Sequence, residues 1–307
     1  MRAMTTKILV IGGVTAAGKT AAALALAHRR DGELVGADSV QVYRGFDIGS
    51  AKPTEEELGG VRHHLIDVID PDEEIDAARY AALADAAIAD IASRGKLPIV
   101  VGGTGLWIRA LLRGLVELPE VDPALRARLD EEAEHAGAPR LHERLRALDP
   151  AAAARIHPND RLRIVRALEV FEQTGTPLGE LQAAHALGAP RYDAEVVLLD
   201  RPREELHAAI RARVRAMIEA GWIDEVAALL ARWGPDVRPM SAVGYRQIAQ
   251  HLLEGVPLEE TERLIYKATR IYTRRQRTWF RGDHRGVPWT TAAELTTDQL
   301  TSGKGGA

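Results

Sequence analysis

"KILVIGGVTAAGKT", residues 7–20, decides the fold. Its first seven residues are an apolar, β-branched run ending in two glycines, and an Ala/Leu-rich segment follows from Lys19. That order reads as strand, glycine-rich loop and helix. Gly13-Val14-Thr15-Ala16-Ala17-Gly18-Lys19-Thr20 fits G-x-x-x-x-G-K-[ST] at every position. In such a loop the glycines let backbone N–H groups turn toward phosphate oxygens, Lys19 adds a mobile positive charge, and the Thr20 hydroxyl is placed to bind Mg2+. The motif reads phosphate alone, so a nucleotide kinase or ATPase is its default meaning.

Working outward, further buried-strand candidates are 33–39, 63–70, 97–103 and 194–200, with helical patterns at 76–93 and 104–113 between some of them. Strands alternating with helices predict an α/β fold: a P-loop NTPase-like core with a mostly parallel sheet covered on both faces. Between Pro119 and Pro190 strand signals vanish, and consecutive amphipathic patterns punctuated by Pro and Gly predict an all-helical insertion. The expected division is therefore 1–118 with 190–307 as the core and its helical C-terminal region, and 119–189 as the insertion. Helices are expected over 202–220, 221–233, 244–254 and 258–281, and the tail from Gly282 to "TSGKGGA" reads as weakly ordered.

The chain of 307 residues has 46% hydrophobic and 27% charged residues, ordinary for a soluble globular protein. No apolar run approaches the roughly 20 residues of a membrane span, and no signal-peptide pattern opens the chain, so a cytoplasmic protein without membrane contact is expected. With no cysteine, disulfides, thiolate catalysis and cysteine-ligated zinc are excluded. The net charge of −4 argues against a uniformly basic nucleic-acid binder, although charge is distributed unevenly along the chain.

A second motif, Asp38-Ser39-Val40-Gln41-Val42-Tyr43-Arg44-Gly45, follows the second predicted strand. Ligands of open parallel sheets collect beyond the carboxyl ends of strands, which sets Asp38 beside the phosphate loop. Its carboxylate has three possible uses: binding Mg2+, accepting a proton from a nucleophile, or capping the next helix with Ser39. Gln41, Tyr43 and Arg44 add hydrogen-bonding and stacking groups for a planar base. Thr104 stands at the start of another strand–glycine–helix unit, its hydroxyl aimed at the cleft or used as an N-cap. His63-His64 would face opposite ways on a strand, which disfavours a metal pair. Asp70 and Asp200 each end a strand pattern and read as turns rather than magnesium ligands.

Together "GVTAAGKT", "DSVQVYRGFDIGSAKP", "HHLIDVID", "VVGGTGLWIRALL", "IHPNDRLRIVRALEVFEQTG", "AVGYRQ" and "TRIYTRRQRTWFR" resemble the tRNA dimethylallyltransferase family, in order and over nearly the whole chain. The resemblance implies transfer of a dimethylallyl group from dimethylallyl diphosphate to N6 of adenosine-37, next to the anticodon, in tRNAs reading codons that begin with U. It makes the loop, Gly13 to Thr20, a holder for diphosphate with Mg2+ on Thr20, and Asp38 the general base. Thr15, Thr104 and Arg213 match further functional positions. Implied tRNA contacts are Asp38, Ser39, Val40, Gln41 and Thr104, then Arg126, Leu162, Arg163 and Arg166 in the insertion, and Tyr245, Arg246 and Gln247. Implied partners are the tRNA anticodon stem-loop and dimethylallyl diphosphate, with a monomer expected. Two departures stand out: Leu162 replaces a usual Gln in Pro-Gln-Arg, and Trp107 replaces a commoner Tyr. Adenylate isopentenyltransferases share the loop and the Asp-bearing strand end, but have no need of an anticodon-sized insertion or a basic helix.

The last long helix adds an independent signal. Arg263, Lys267, Arg270, Arg274, Arg277 and Arg281 fall on one helical stripe, nearly without acids, which reads as a nucleic-acid backbone contact rather than a merely solvated face. Ile265, Tyr272 and Trp279 form a second stripe, expected to face the core.

Overall fold

A computed structural model describes residues 6–116, 118–185 and 190–296. The chain divides into two units, one comprising Met1–Leu112 with Arg191–Ala307, the other Arg113–Pro190.

The first unit is an α/β fold on a six-stranded sheet. It begins with β1 (Lys7–Gly13), α1 (Lys19–Arg30), β2 (Gly32–Ala37), α2 (Glu55–Leu58) and β3 (His63–His64). Next come α3 (Ala77–Ser93), β4 (Leu97–Gly102) and α4 (Gly105–Arg113). The second unit holds α5 (Pro123–Ala136), α6 (Ala138–Leu148), α7 (Pro150–Arg155), α8 (Arg161–Thr174) and α9 (Leu178–His185). The chain then returns to the first unit with β5 (Asp193–Leu199), α10 (Arg203–Glu219), α11 (Trp222–Trp233), α12 (Tyr245–Glu254), α13 (Leu258–Asp283), β6 (Trp289–Thr290) and α14 (Ala292–Thr296).

Strand order is β3-β2-β4-β1-β5-β6, with every pair parallel. Ile8, Leu9, Val10 and Ile11 are all buried, as a central strand covered on both faces requires. β1 lies between β4 and β5, in register Leu9↔Ile99 and Gly13↔Leu199. The chain leaves β1 toward β2 on one side and leaves β4 toward β5 on the other. The carboxyl ends of β1 and β4 therefore frame the crevice of the sheet.

Two expectations need correction. The third strand is only His63–His64 long, because Leu65 and Asp67 adopt positive φ of 63° and 53° and turn the chain away. The tail from Gly282 is not uniformly loose: Trp289–Thr290 joins the sheet beside Leu198 and Leu199, and α14 follows. Residues 297–307, with "TSGKGGA", lie outside the described residues.

The second unit is helical, with starts set by Asp122, Asp149 and Asp160, each accepting backbone N–H bonds at a helix N-terminus. Leu129, Leu141, Leu145, Ile164, Val165 and Leu168 form its core. Glu169 is fully buried beneath Arg126 and Arg166, both of which ion-pair with its carboxylate. These arginines, expected as tRNA contacts, thus hold a structural carboxylate. Removing one partner of a buried pair costs about 3–5 kcal/mol, and less where the cations reach solvent as here. Glu169→Ala should therefore lower the unfolding free energy of this unit by about 2–3 kcal/mol, read by hydrogen exchange of α5 and α8.

Candidate active site

The loop after β1 is held open by backbone geometry. Gly13 has φ of 134°, and a Cβ there would collide with the Leu199 carbonyl oxygen. Gly18 precedes α1 in the left-handed region and supplies no side-chain cap. The first N–H groups of α1 have no intrahelical acceptors and form an anion-binding helix end. Lys19 Nζ donates to the Val14 carbonyl at 2.8 Å. Burial lowers its pKa to about 8, against an opposing pull from Asp38, and Arg213 lowers it further.

β2 delivers Asp38 to the same end of the sheet. No helix follows, so the capping role does not arise. Instead Asp38 Oδ1 accepts from Val40 N at 2.9 Å and Gln41 N at 3.4 Å, fixing a tight turn. No described residue hydrogen-bonds its other carboxylate oxygen. Thr104 does not cap α4 through its hydroxyl; Oγ1 accepts from Ser39 N at 3.1 Å, tying the ends of β2 and β4 together.

Two cavities meet here. One, of about 320 Å³, is walled by Thr15, Gly18, Lys19, Thr20, Asp38 and Arg213 among others. The second, of about 270 Å³, shares Thr15, Asp38 and Arg213 and continues along Ile210, Val214 and Met217. Arg213 stands on α10 three residues from Ile210 and four from Met217, on the buried side of the helix. Its exposed neighbours Arg211 and Arg215 lie off that stripe. Burial lowers the Arg213 pKa, with Asp38 opposing, and no described carboxylate ion-pairs with it. A desolvated guanidinium without a counter-ion marks an anion site.

The motif after Asp38 closes on itself. Gln41 Nε2 donates to the Ser50 and Ala51 carbonyls at 3.0 and 2.9 Å, and Lys52 ion-pairs with Asp47 and Asp67. Tyr43 is buried and offers no surface for stacking on a base, whereas Arg44 is exposed and pairs with Asp70 at 3.1 Å. From α11, Glu225 accepts the N–H groups of Asp47, Ile48 and Gly49 at 3.0, 2.6 and 3.2 Å, and the Tyr245 hydroxyl at 2.7 Å. The sequence carries no local sign of this clamp, since 176 residues separate Glu225 from Gly49. Glu225→Ala leaves three amides unmatched, so loop 47–49 should exchange its amide protons at least ~10-fold faster than in the parent.

Several residues expected as tRNA contacts have partners within the protein, and others are exposed. Tyr245 is buried against Phe46 and Trp222, and Gln247 accepts the Gly244 N–H at 2.7 Å at the start of α12. Arg246 remains exposed. In the second unit Leu162 and Arg163 are exposed, with Arg163 beside Asp160. Trp107 is a core residue stacked on Tyr80 at 4.4 Å, which accounts for a large aromatic ring there.

On α13 the basic stripe is less free of acids than its own spacing implies. Arg277 makes two hydrogen bonds to Asp200 at 2.7 and 2.8 Å, and Arg263 pairs with Glu260. Lys267, Arg270, Arg274 and Arg277 still line one cavity of about 500 Å³, together with Arg203 and His207 of α10. The Ile265, Tyr272 and Trp279 stripe is mixed: Ile265 is buried, Tyr272 walls the second cavity, and Trp279 stacks under Arg109 at 4.4 Å.

Sequence reasoning missed Gln276. It is buried, accepts the Thr15 N–H at 2.8 Å and donates to the Gly103 carbonyl at 3.1 Å. Gly12, Gly103 and Gly105 leave the space that Phe280, Gln276 and Trp279 occupy, so α13 lies directly on the ends of β1 and β4. A conspicuous signal existed: a lone amide in an otherwise arginine-rich run.

The IPP transferase family model matches residues 41–283. A tRNA dimethylallyltransferase of Anaeromyxobacter dehalogenans is 56% identical over 92% of this chain and 92% of that protein. One from Symbiobacterium thermophilum is 51% identical over 91% of this chain and 87% of its own length. The crystal structure of a tRNA isopentenylpyrophosphate transferase from Bacillus halodurans has a TM-score of 0.68 and 39% identity, covering 93% of this chain and 90% of that one. A eukaryotic dimethylallyltransferase captured acting on tRNA has a TM-score of 0.80 at 28% identity, covering 95% and 75%. With the phosphate loop, the Asp38 turn and the inward Arg213 in one crevice, and with these matches along its length, the chain belongs to the IPP transferase family.

Proposed function

We propose that the protein transfers the dimethylallyl group of dimethylallyl diphosphate to N6 of adenosine-37 in tRNAs that read codons beginning with U. The products are N6-isopentenyladenosine and diphosphate. The observation that carries this reading is the pair of cavities sharing Thr15, Asp38 and Arg213. One is cationic and fits a diphosphate; the other has an apolar wall and fits the flat base with the five-carbon group.

The N6 lone pair attacks the allylic carbon, the carbon–oxygen bond breaks, and its electron pair leaves with the diphosphate. Asp38 takes the N6 proton as the carbon–nitrogen bond forms. Lys19, Arg213 and the N-terminal amides of α1 stabilise charge that grows on the leaving group. Among the described residues no cluster of three acidic or histidine side chains could cage a metal. A single hydroxyl, Thr20, beside a phosphate pocket fits magnesium, which keeps its waters and takes substrate oxygens. Thr20 would hold that ion, which supplies further charge neutralisation when bound.

Adenine must leave the anticodon-loop stack to be reached, at a cost of a few kcal/mol. Contacts away from the site offset that cost, and the basic cavity between α10 and α13 is the candidate. Arg270→Ala with Arg274→Ala should weaken tRNA binding and reduce the slope of log K against log salt by about 1–2. Arg277 is left intact because it pairs with Asp200. The protein acts as a monomer in the cytoplasm; no described helix is long and apolar enough to cross a membrane.

Incubation with labelled dimethylallyl diphosphate, magnesium and unmodified tRNA tests the reading. Label is expected in adenosine-37. ATP turnover with unlabelled tRNA would instead favour a nucleotide kinase or ATPase, and label in free adenylate an adenylate isopentenyltransferase.

A further inference from the structure

His63 has no part in the chemistry just described, yet it stands in the wall of the cationic cavity with Lys19, Thr20, Asp38 and Gln41. It opens β3, the strand beside β2, which carries Asp38. Its neighbour His64 is accounted for, hydrogen-bonded to Glu33 at 2.8 Å. His63 is not. Both of its ring nitrogens are shielded from solvent, and neither has a hydrogen-bond partner among the described residues.

An imidazole always carries at least one N–H, and when neutral it also has one acceptor lone pair. Buried polar atoms are nearly always matched, so two orphaned atoms on one ring call for a partner that the polypeptide does not supply. Burial, with His64 adding to it, lowers the His63 pKa to about 4, so the ring is neutral near pH 7. A neutral donor adds a hydrogen bond without adding charge to a cavity that already gathers Lys19, Arg201 and Arg213. On the other side of the ring Nε2 faces Gly36, where an added Cβ would stand 3.4 Å away. Rotation about the outer side-chain torsion of histidine is soft, so a small swing brings a ring nitrogen to the cavity.

We infer that His63 is a further binding residue for the prenyl diphosphate: its uncharged ring turns on ligand entry and donates one N–H to a diphosphate oxygen. The inference rests on the reading of this cavity as the diphosphate site. It predicts that the ring is specific for the anion and indifferent to tRNA.

The test is a titration of the full-length, 15N-labelled protein with magnesium and inorganic diphosphate, followed through histidine side-chain 1H–15N correlations. The His63 signals are those absent from His63→Asn. They are expected to shift and to saturate with the midpoint that calorimetry gives for diphosphate. His63→Phe should bind diphosphate about tenfold more weakly, while His63→Asn, which keeps a donor, retains most of the affinity. Diphosphate binding that leaves the His63 nitrogens unmoved overturns the inference, even if a variant misfolds; so does parental affinity in His63→Phe. A parent protein that binds no diphosphate overturns the reading of the cavity, and His63 with it.

Discussion

Asp38→Asn should lower the rate of prenyl transfer by about 10²–10⁴-fold while leaving tRNA affinity within roughly twofold. The substitution is chosen for what it keeps. Asn retains an oxygen at the position of Oδ1, so the bonds from Val40 N and Gln41 N that shape the turn survive. What is lost is the anionic oxygen that accepts the N6 proton, and the negative charge that supports Lys19. Asp38→Ala would remove base and turn together and confuse the two. Single-turnover measurement with saturating tRNA and prenyl diphosphate isolates the chemical step. A rate near that of the parent would remove Asp38 as the base, and a fall matched by lost tRNA binding would make it structural. Aspartate's position also explains why two cavities are needed. It touches both, so a proton can leave the amine beside the cationic pocket that receives the leaving group.

The parts of this site that could be read in advance are those whose residues are neighbours in sequence. Gly13 to Thr20 announces a strand, a loop and a helix because backbone geometry and ligand chemistry constrain the same eight positions. Asp38 was legible from its place at a strand end. Arg213 was half legible: its spacing from Ile210 and Met217 sets it on an inward face, a signal that the neighbouring arginines conceal. Glu225 was not legible, and Gln276 showed only as a lone amide among arginines, with nothing to say what it would bind. Each works on a loop more than 170 residues away, so neither role has a local sign in the sequence. Tyr245 and Gln247 carry structural duties that their pattern does not announce. Tyr245 packs on Phe46 and Trp222 while walling the second cavity, and Gln247 accepts the Gly244 N–H at the start of its own helix. The shortened β3 has a local cause that spacing hides, since positive φ at Leu65 and Asp67 is a property of the folded turn. In the sequence His63 reads only as half of a disfavoured metal pair: alternation predicts that it faces away from His64, not that its nitrogens go unmatched.

The second large effect belongs to Lys19 and depends on pH. In the free protein its pKa is lowered to about 8, chiefly by burial, from 10.5. A bound diphosphate favours the ammonium form and raises that value. Above pH 8 the empty site loses the proton that binding requires, so kcat/KM for the prenyl diphosphate should fall, approaching tenfold per pH unit. Lys19→Arg cannot deprotonate in this range and should flatten that limb, even if its longer fork costs activity throughout. Lys19→Met should lose about 10²–10³-fold in kcat at every pH, the usual scale for removing one donor to a developing anion. Stability should move in the opposite sense. Between pH 8 and 10.5 the unfolded chain holds a proton on Lys19 that the folded protein has released, so the contribution of this residue to stability rises with pH across that window. Comparison of the parent with Lys19→Met by denaturant unfolding isolates it: the difference should shift in favour of the parent from pH 8 to 10.5. Activity falling as this contribution rises is the signature of a lysine held partly desolvated for an anion that has yet to arrive. If kcat/KM and the stability difference were both flat across the window, Lys19 would be an ordinary surface-like ammonium, and the charge on the leaving group would have to be met by Arg213 and the amides of α1.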